Sequence, residues 1–263
     1  VASVRNGGVT IAFEVSGTSG GPVVLLSHSL GATGGMWQPQ MAALERDFQV
    51  VRYDARGHGQ SSVPPGDYTL AQLGSDALAV LDACGAGRAH VCGISMGGQV
   101  ALWLALNAPD RVDRLVAANT AARIGAPHTW ADRVETVRSQ GLQAIAATVR
   151  GRWLTPAFAD RHLDATEALA RGIVNTDPTG YVGCCAALRD ADLTADLSRI
   201  AARTLIIAGD HDPSTTVDDA RLLCERIPNA TLTRLPAAHI SNVEAAEMFT
   251  AAVAGFFREA THD

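Results

Sequence analysis

Short β-branched and leucine-rich runs alternate along the chain with stretches whose apolar residues recur at helical spacing. Two runs near the start, 1–4 and 9–15, flank Gly7-Gly8 and predict an antiparallel hairpin, because paired glycines supply the positive φ that tight hairpin turns need. Further runs fall at 23–27, 50–54, 89–94, 115–118, 204–208 and 231–235. Helical patterns lie at 70–83, 97–107, 218–226 and 243–257. The middle runs are apolar without alternation, so both faces of those strands are covered. Repeated strand–helix units of this kind predict an α/β protein: a mostly parallel, doubly wound sheet with right-handed crossovers and helices on each side.

One stretch breaks the alternation. Between 125 and 200 no strand pattern occurs, only helical patterns punctuated by Gly141, Gly151, Pro156, Gly172, Pro178 and Gly183. It is too long for a structureless loop. The pattern therefore predicts a helical cap, 125–200, inserted into a core formed by 1–124 and 201–263.

Composition narrows the chemistry. With 263 residues, 47% apolar and 18% charged, the chain has the profile of a soluble globular protein that needs no disulfide or metal staples. No apolar run approaches the roughly 20 residues that span a bilayer. The opening residues lack a signal-peptide pattern, so a cytoplasmic protein is expected. The net charge is −6 and all 21 cations are arginine. Without lysine, Schiff-base chemistry, a Walker lysine and a Ser-Lys dyad are excluded, and there is no basic stripe for nucleic acid. An anionic substrate would have to be held by a local arginine against the overall field. Five cysteines without CxxC spacing and eight histidines without HExxH spacing predict neither disulfides nor a metal site. Cys184-Cys185 reads as two small buried residues rather than a redox pair.

The sharpest chemical signal is Gly93-Ile94-Ser95-Met96-Gly97, directly after one strand run and before a helical pattern. A G-x-S-x-G in that context describes a nucleophile elbow, a strained turn that lifts the serine hydroxyl clear of the sheet. Its base and orienting acid are expected beyond later strands, in the order Asp then His. The run 204–208 leads into Gly209-Asp210-His211-Asp212-Pro213, and the run 231–235 into Pro236-Ala237-Ala238-His239. His239 is the candidate base. Asp210 and Asp212 compete as the acid; Asp212, deeper in its loop and followed by Pro213, is favoured, and His211 reads as a loop residue. The oxyanion amides are expected from Met96 and from Leu30, in the loop His28-Ser29-Leu30-Gly31. His28 reads as a packing or loop-bonding histidine. The turn Asp54-Ala55-Arg56-Gly57-His58-Gly59-Gln60-Ser61 reads as scaffold.

Together these segments resemble the α/β-hydrolase superfamily over the whole chain. A narrower set of stretches resembles the 3-oxoadipate enol-lactonases: SLG at 29–31, GISMGG at 93–98, ANTAARIG at 118–125, RWLTPAF at 152–158, CCAALRDADL at 184–193 and AAHISNVE at 237–244. GISMGG is shared with many hydrolases, whereas the cap stretches and AAHISNVE are more restrictive. Two positions depart from the family pattern: His28 stands where asparagine is common, and Ser214–Val217 differs from the usual threonine-and-proline run. The resemblance implies hydrolysis of the enol-lactone of 3-oxoadipate in aromatic-compound breakdown, with Ser95, Asp212 and His239 as triad. It implies no cofactor, and a small lactone carrying a carboxylate as partner. That carboxylate needs a cation. Arg133, three residues after Trp130 on one helical face, is the first candidate. The competing reading is a surface arginine lying on a core tryptophan. Arg123, Arg138 and Arg152 rank below it, and Trp153 is expected in the cap core. Rival readings are a carboxylesterase, a cofactor-free perhydrolase, a carbon–carbon bond hydrolase, or a non-catalytic ligand sensor on the same fold.

Overall fold

The computed structural model describes residues 1–259. Its eight strands form one sheet. The first two, β1 (Ala2–Asn6) and β2 (Val9–Gly17), make the expected hairpin, with Asn6 opposite Val9 across the Gly7-Gly8 turn. Next come β3 (Val23–Ser27), β4 (Gln49–Tyr53), β5 (Ala89–Ile94), β6 (Val112–Ala118), β7 (Arg203–Gly209) and β8 (Ala230–Leu235). Their order is β1-β2-β4-β3-β5-β6-β7-β8, antiparallel from β1 to β4 and parallel through all the rest. Every residue of β5 is buried, His90 included, as a strand covered on both faces requires. Strand β6 begins three residues before the apolar run at 115–118. The cause is Arg114, which hides the pattern: its guanidinium is buried 5.5 Å from the Phe256 ring centre and donates to Phe256 O.

Helices cover both faces. After α1 (Gln38–Leu44), which the sequence pattern misses, comes α2 (Leu70–Ala83). It opens on a reciprocal cap, where Thr69 Oγ1 accepts from Gln72 N–H and Gln72 Oε1 from Thr69 N–H. The third helix, α3 (Met96–Asn107), starts on the residue after Ser95. Between β6 and β7 lie only helical segments and turns: α4 (Pro127–Gln140), α5 (Leu142–Ala146), a kinked turn at Val149–Trp153, α6 (Pro156–Arg161), α7 (Leu163–Val174) and α8 (Pro178–Asp190). Prolines start α4, α6 and α8, where the missing N–H is no loss. The insertion touches the core turn through two glycines. A Cβ on Gly57, which has φ +81°, would lie 2.6 Å from Gly180 Cα, so neither position has room for a side chain.

The remaining helices are α9 (Val217–Arg226), α10 (Ser241–Glu244) and α11 (Ala246–Arg258). The single helix expected at 243–257 is thus broken at Ala245, with φ −116° and ψ 46°. The Asn242 carbonyl, which an unbroken helix would offer to Ala246, accepts instead from Gln40 Nε2 at 2.8 Å. All five cysteines are unpaired, with Cys184 and Cys185 buried in α8. Among the described residues no helix is long and apolar enough to cross a membrane.

Candidate active site

The parallel strands share one C-terminal edge, where ligands of open α/β sheets bind. Five loops meet there, after β3, β5, β6, β7 and β8. Ser95 leaves the central strand β5 with φ 57° and ψ −118°, a conformation unusual for a residue with a side chain. Two glycines allow it. A Cβ on Gly93 would collide with the Gly97 carbonyl, and one on Gly97 with the Ser27 carbonyl. The turn is pinned by Ser95 N–H to Ala118 O at 3.0 Å and by Thr120 Oγ1, which donates to Ser95 O at 2.9 Å.

The structure brings Ser95, His239 and Asp212 into one line. Ser95 Oγ is 2.8 Å from His239 Nε2, and His239 Nδ1 is 2.7 Å from Asp212 Oδ2. The competing Asp210 is turned away and pairs with Arg234 at 2.6 Å, while His211 is exposed. Asp212 is buried and saturated. Its Oδ2 also accepts from Thr215 Oγ1 at 2.7 Å and Asn119 Nδ2 at 3.0 Å, and its Oδ1 from the amides of Ser214 and Thr215 at 2.7 and 3.1 Å. Burial pushes this carboxyl upward. The facing His239 and the hydrogen bonds from His239, Thr215 and Asn119 outweigh it and hold Asp212 below the usual carboxylate range.

Asn119 and Thr215 were not singled out by sequence reasoning. Asn119 had a signal: a polar residue directly after an apolar strand, here with φ 41°. It also donates to Ala238 O at 3.1 Å and accepts from Ser241 Oγ, and so ties the Asp212 loop to the His239 loop.

Leu30 is buried beside Ser95, and its amide donates to no other group among the described residues. Its neighbours are firmly fixed. Gly31 N–H donates to His58 Nε2 at 2.9 Å, and Ala55 N–H to His28 Nε2 at 2.8 Å. Both rings must therefore carry their proton on Nδ1, facing Arg56 O and Ser29 O respectively. Burial depresses both, His58 to about 3. His28 is thus a loop-bonding residue, and the turn from Asp54 to Ser61 is scaffold that braces this loop. Arg56 within it forms a buried pair with Asp76, at 2.6 Å.

Ser95 and His239 open on a cavity of about 510 Å³, between the strand ends and the helical insertion. Trp130 and Arg133 both line it. The Arg133 guanidinium lies 5.2 Å from the Trp130 ring centre and 3.5 Å from Tyr181 Oη, while Trp130 Nε1 donates to Ile124 O at 2.6 Å. Arg133 has no carboxylate partner among the described residues. The structure reorders the lesser candidates. Arg152 and Trp153 also line the cavity, so Trp153 faces it as well as being buried in the insertion. Partial withdrawal from water and the charge of Arg133 pull Arg152 below its usual range. Arg123 instead pairs with Asp192 at 3.3 Å, and exposed Arg138 does not line the cavity.

A parallel sheet whose central strand ends in a strained serine, with a histidine and a carboxylate supplied by the last two strand ends, defines a class of hydrolases. The model of the α/β hydrolase fold family matches residues 22–246, and the chain belongs to that family. Within it, the chain is 43% identical over 245 residues to 3-oxoadipate enol-lactonase 2 of Acinetobacter baylyi, covering 93% of this chain and 92% of that one. The crystal structure of the enol-lactonase from Burkholderia xenovorans superposes with a TM-score of 0.96 at 38% identity, over 98% of this chain and all of that one. A putative carbamate hydrolase, RutD, of a Caulobacter species is 38% identical over 252 residues, 90% of this chain and 92% of that protein. The resemblance read from the elbow and the cap stretches is therefore borne out.

Proposed function

We propose that this chain hydrolyses 3-oxoadipate enol-lactone to 3-oxoadipate through an acyl-enzyme on Ser95. The observation that carries the reading is the juxtaposition across one cavity: the line Ser95–His239–Asp212 on one side and, on the other, the Arg133 guanidinium, which lies over Trp130 and has no carboxylate partner among the described residues. Ser95 Oγ attacks the lactone carbonyl and gives its proton to His239 Nε2. The oxyanion lies against the Met96 and Leu30 amides, the first of them at the N-terminus of α3. Collapse breaks the ring C–O bond, expelling an enolate that takes from His239 the proton removed from Ser95 and becomes a ketone, which leaves His239 neutral again. Because an enolate leaves far more readily than an alkoxide, His239 is next needed chiefly for water: it removes one proton as the water attacks the acyl carbonyl, then returns it to Ser95. Arg133 binds the substrate carboxylate. The work belongs to aromatic-compound catabolism in the cytoplasm, a reducing compartment that suits five unpaired cysteines.

The test is loss of the enol-lactone chromophore, with wild type and Ser95→Ala side by side. Rapid decay in wild type, reduced about 10⁶-fold in the variant, is expected. No decay while aryl esters are cleaved would leave an esterase and discard the lactone; turnover of a carbamate instead would move the assignment toward the other relatives.

A further inference from the structure

The segment AAHISNVE ends on a carboxylate that the reaction above leaves unused. Glu244 lies five residues beyond His239, half-buried, where the His239 loop meets the helical insertion. Its Oε2 accepts from the Ala238 amide at 2.8 Å, the residue directly before the histidine. Its other contacts reach across the seam. The Thr155 amide lies 3.2 Å from each oxygen, and Thr155 Oγ1 donates to Oε1. Between these two anchors, Ile240 N–H donates to Trp153 O at 2.9 Å. Residues 238–240 and 153–155 are therefore laced together on both sides of His239, and Arg152 and Trp153, which line the ligand cavity, are the start of that same stretch. An apolar residue at 244 would leave the Ala238 amide and both Thr155 donors without acceptors. An ordinary surface glutamate would face water rather than three donors from two separate parts of the fold.

We propose that Glu244 is a positioning residue that sets, through one carboxylate, both the seat of His239 and the Arg152–Trp153 wall of the cavity. This rests on the reading of His239 as base. Oε2 holds the base loop and shares the Thr155 amide with Oε1, which also takes the Thr155 hydroxyl, so a change on either side of the seam is felt on the other. Glutamine keeps a single acceptor oxygen for the three donors, and alanine keeps none.

The experiment compares wild type, Glu244→Gln, Glu244→Ala and Thr155→Val on the enol-lactone and on p-nitrophenyl acetate, which needs the base but has no carboxylate to dock. Glu244→Ala is expected to lower kcat about 100-fold on both substrates, the scale of an ångström-sized misplacement. It should raise KM about tenfold for the lactone alone, the loss of roughly one charge-assisted contact. Glu244→Gln should fall between it and wild type. Thr155→Val should reproduce mainly the rise in lactone KM. Should Glu244→Ala fail to fold, the glutamine and valine variants decide the matter by the same split. Kinetic constants within twofold of wild type in Glu244→Gln, or losses tracking only a lowered unfolding temperature with lactone KM unchanged in Thr155→Val, overturn the proposal. Wild type active on the ester and inert to the lactone would sink the lactone reading, and kcat on the ester would still judge Glu244.

Discussion

The two walls of the cavity are built on different principles. On the strand-end wall the triad side chains are held by several partners: Asp212 receives five hydrogen bonds between 2.7 and 3.1 Å, and Ser95 is fixed through its hydroxyl, amide and carbonyl. On the insertion wall the cations are loosely held. Arg133 has an aromatic face and one contact at 3.5 Å, and Arg152 only a 3.5 Å contact to Ser214 Oγ. The first wall is organised before any ligand arrives, which is what stabilising a brief transition state demands. The second leaves donors unsatisfied, which is what recognising an anion demands. Under the proposed function, the contrast assigns chemistry to one wall and selection to the other.

The largest expected effect tests the organised wall. Asp212→Asn replaces an acceptor of five donors by a group that must present N–H to some of them. Facing His239 Nδ1, that amide also favours the wrong tautomer of the base. A fall in kcat of about 10⁴-fold, with KM little changed, is expected in steady-state assays. A fall of less than tenfold would show that Asp212 merely closes its own turn, and the contrast between the walls would collapse.

That contrast also explains what is legible in the sequence alone. Ser95, Asp212 and His239 each follow a strand run within a few residues, so local pattern and chain order reach them. The sheet was legible for the same reason, since apolar runs report two-sided burial. Long-range capture was not legible. Nothing near Asn242 announces that Gln40, 202 positions away, takes its carbonyl and interrupts the helix. Asn119 likewise looks like a loop asparagine until two other loops fold onto it. On the insertion wall, helical spacing paired Trp130 with Arg133, but Arg152 sits in a kinked turn with φ 89° at Gly151. No periodicity indicates where its side chain points, and so it ranked below its place in the cavity.

The open wall yields the intermediate effects. Arg133→Ala should raise KM for a carboxylate-bearing lactone about 10- to 100-fold, since a hydrogen-bonded charge contact is worth about 1.5–3 kcal/mol. A lactone lacking the carboxylate should be indifferent. Arg152 is more exposed, so its contribution is screened, and Arg152→Ala should change the same KM about two- to fivefold. Initial-rate measurements with the two lactones decide it. A larger effect at Arg152 would move the anion to the mouth of the cavity and sharpen the picture of the insertion as its entrance.

The smallest effect concerns stability, and it tests whether the organised wall depends on neutral histidines. His58 accepts the Gly31 amide through Nε2, so protonating that nitrogen destroys the bond that fixes the residue after Leu30. Burial, with His28 nearby, lowers His58 in the folded protein to about 3, whereas the unfolded chain titrates near 6.5. The folded state thus resists a proton that the unfolded state takes up. The linked stability is fully present above about pH 6.5 and is lost progressively as pH falls toward 3, by at most about 1.4 kcal/mol per pH unit for this one group. His28, depressed in the same direction, steepens the slope. Denaturant titrations of wild type and His58→Gln between pH 7 and pH 5 should therefore show the wild-type midpoint falling more steeply. The glutamine keeps an acceptor for Gly31 but does not titrate. Parallel slopes would mean that the His58 ring takes up a proton as readily in the folded protein as in the unfolded chain, and the bracing of the Leu30 loop would have to be sought in the Asp54 turn, where the carboxylate accepts from Gly34 and Gln60 amides at 2.9 Å each.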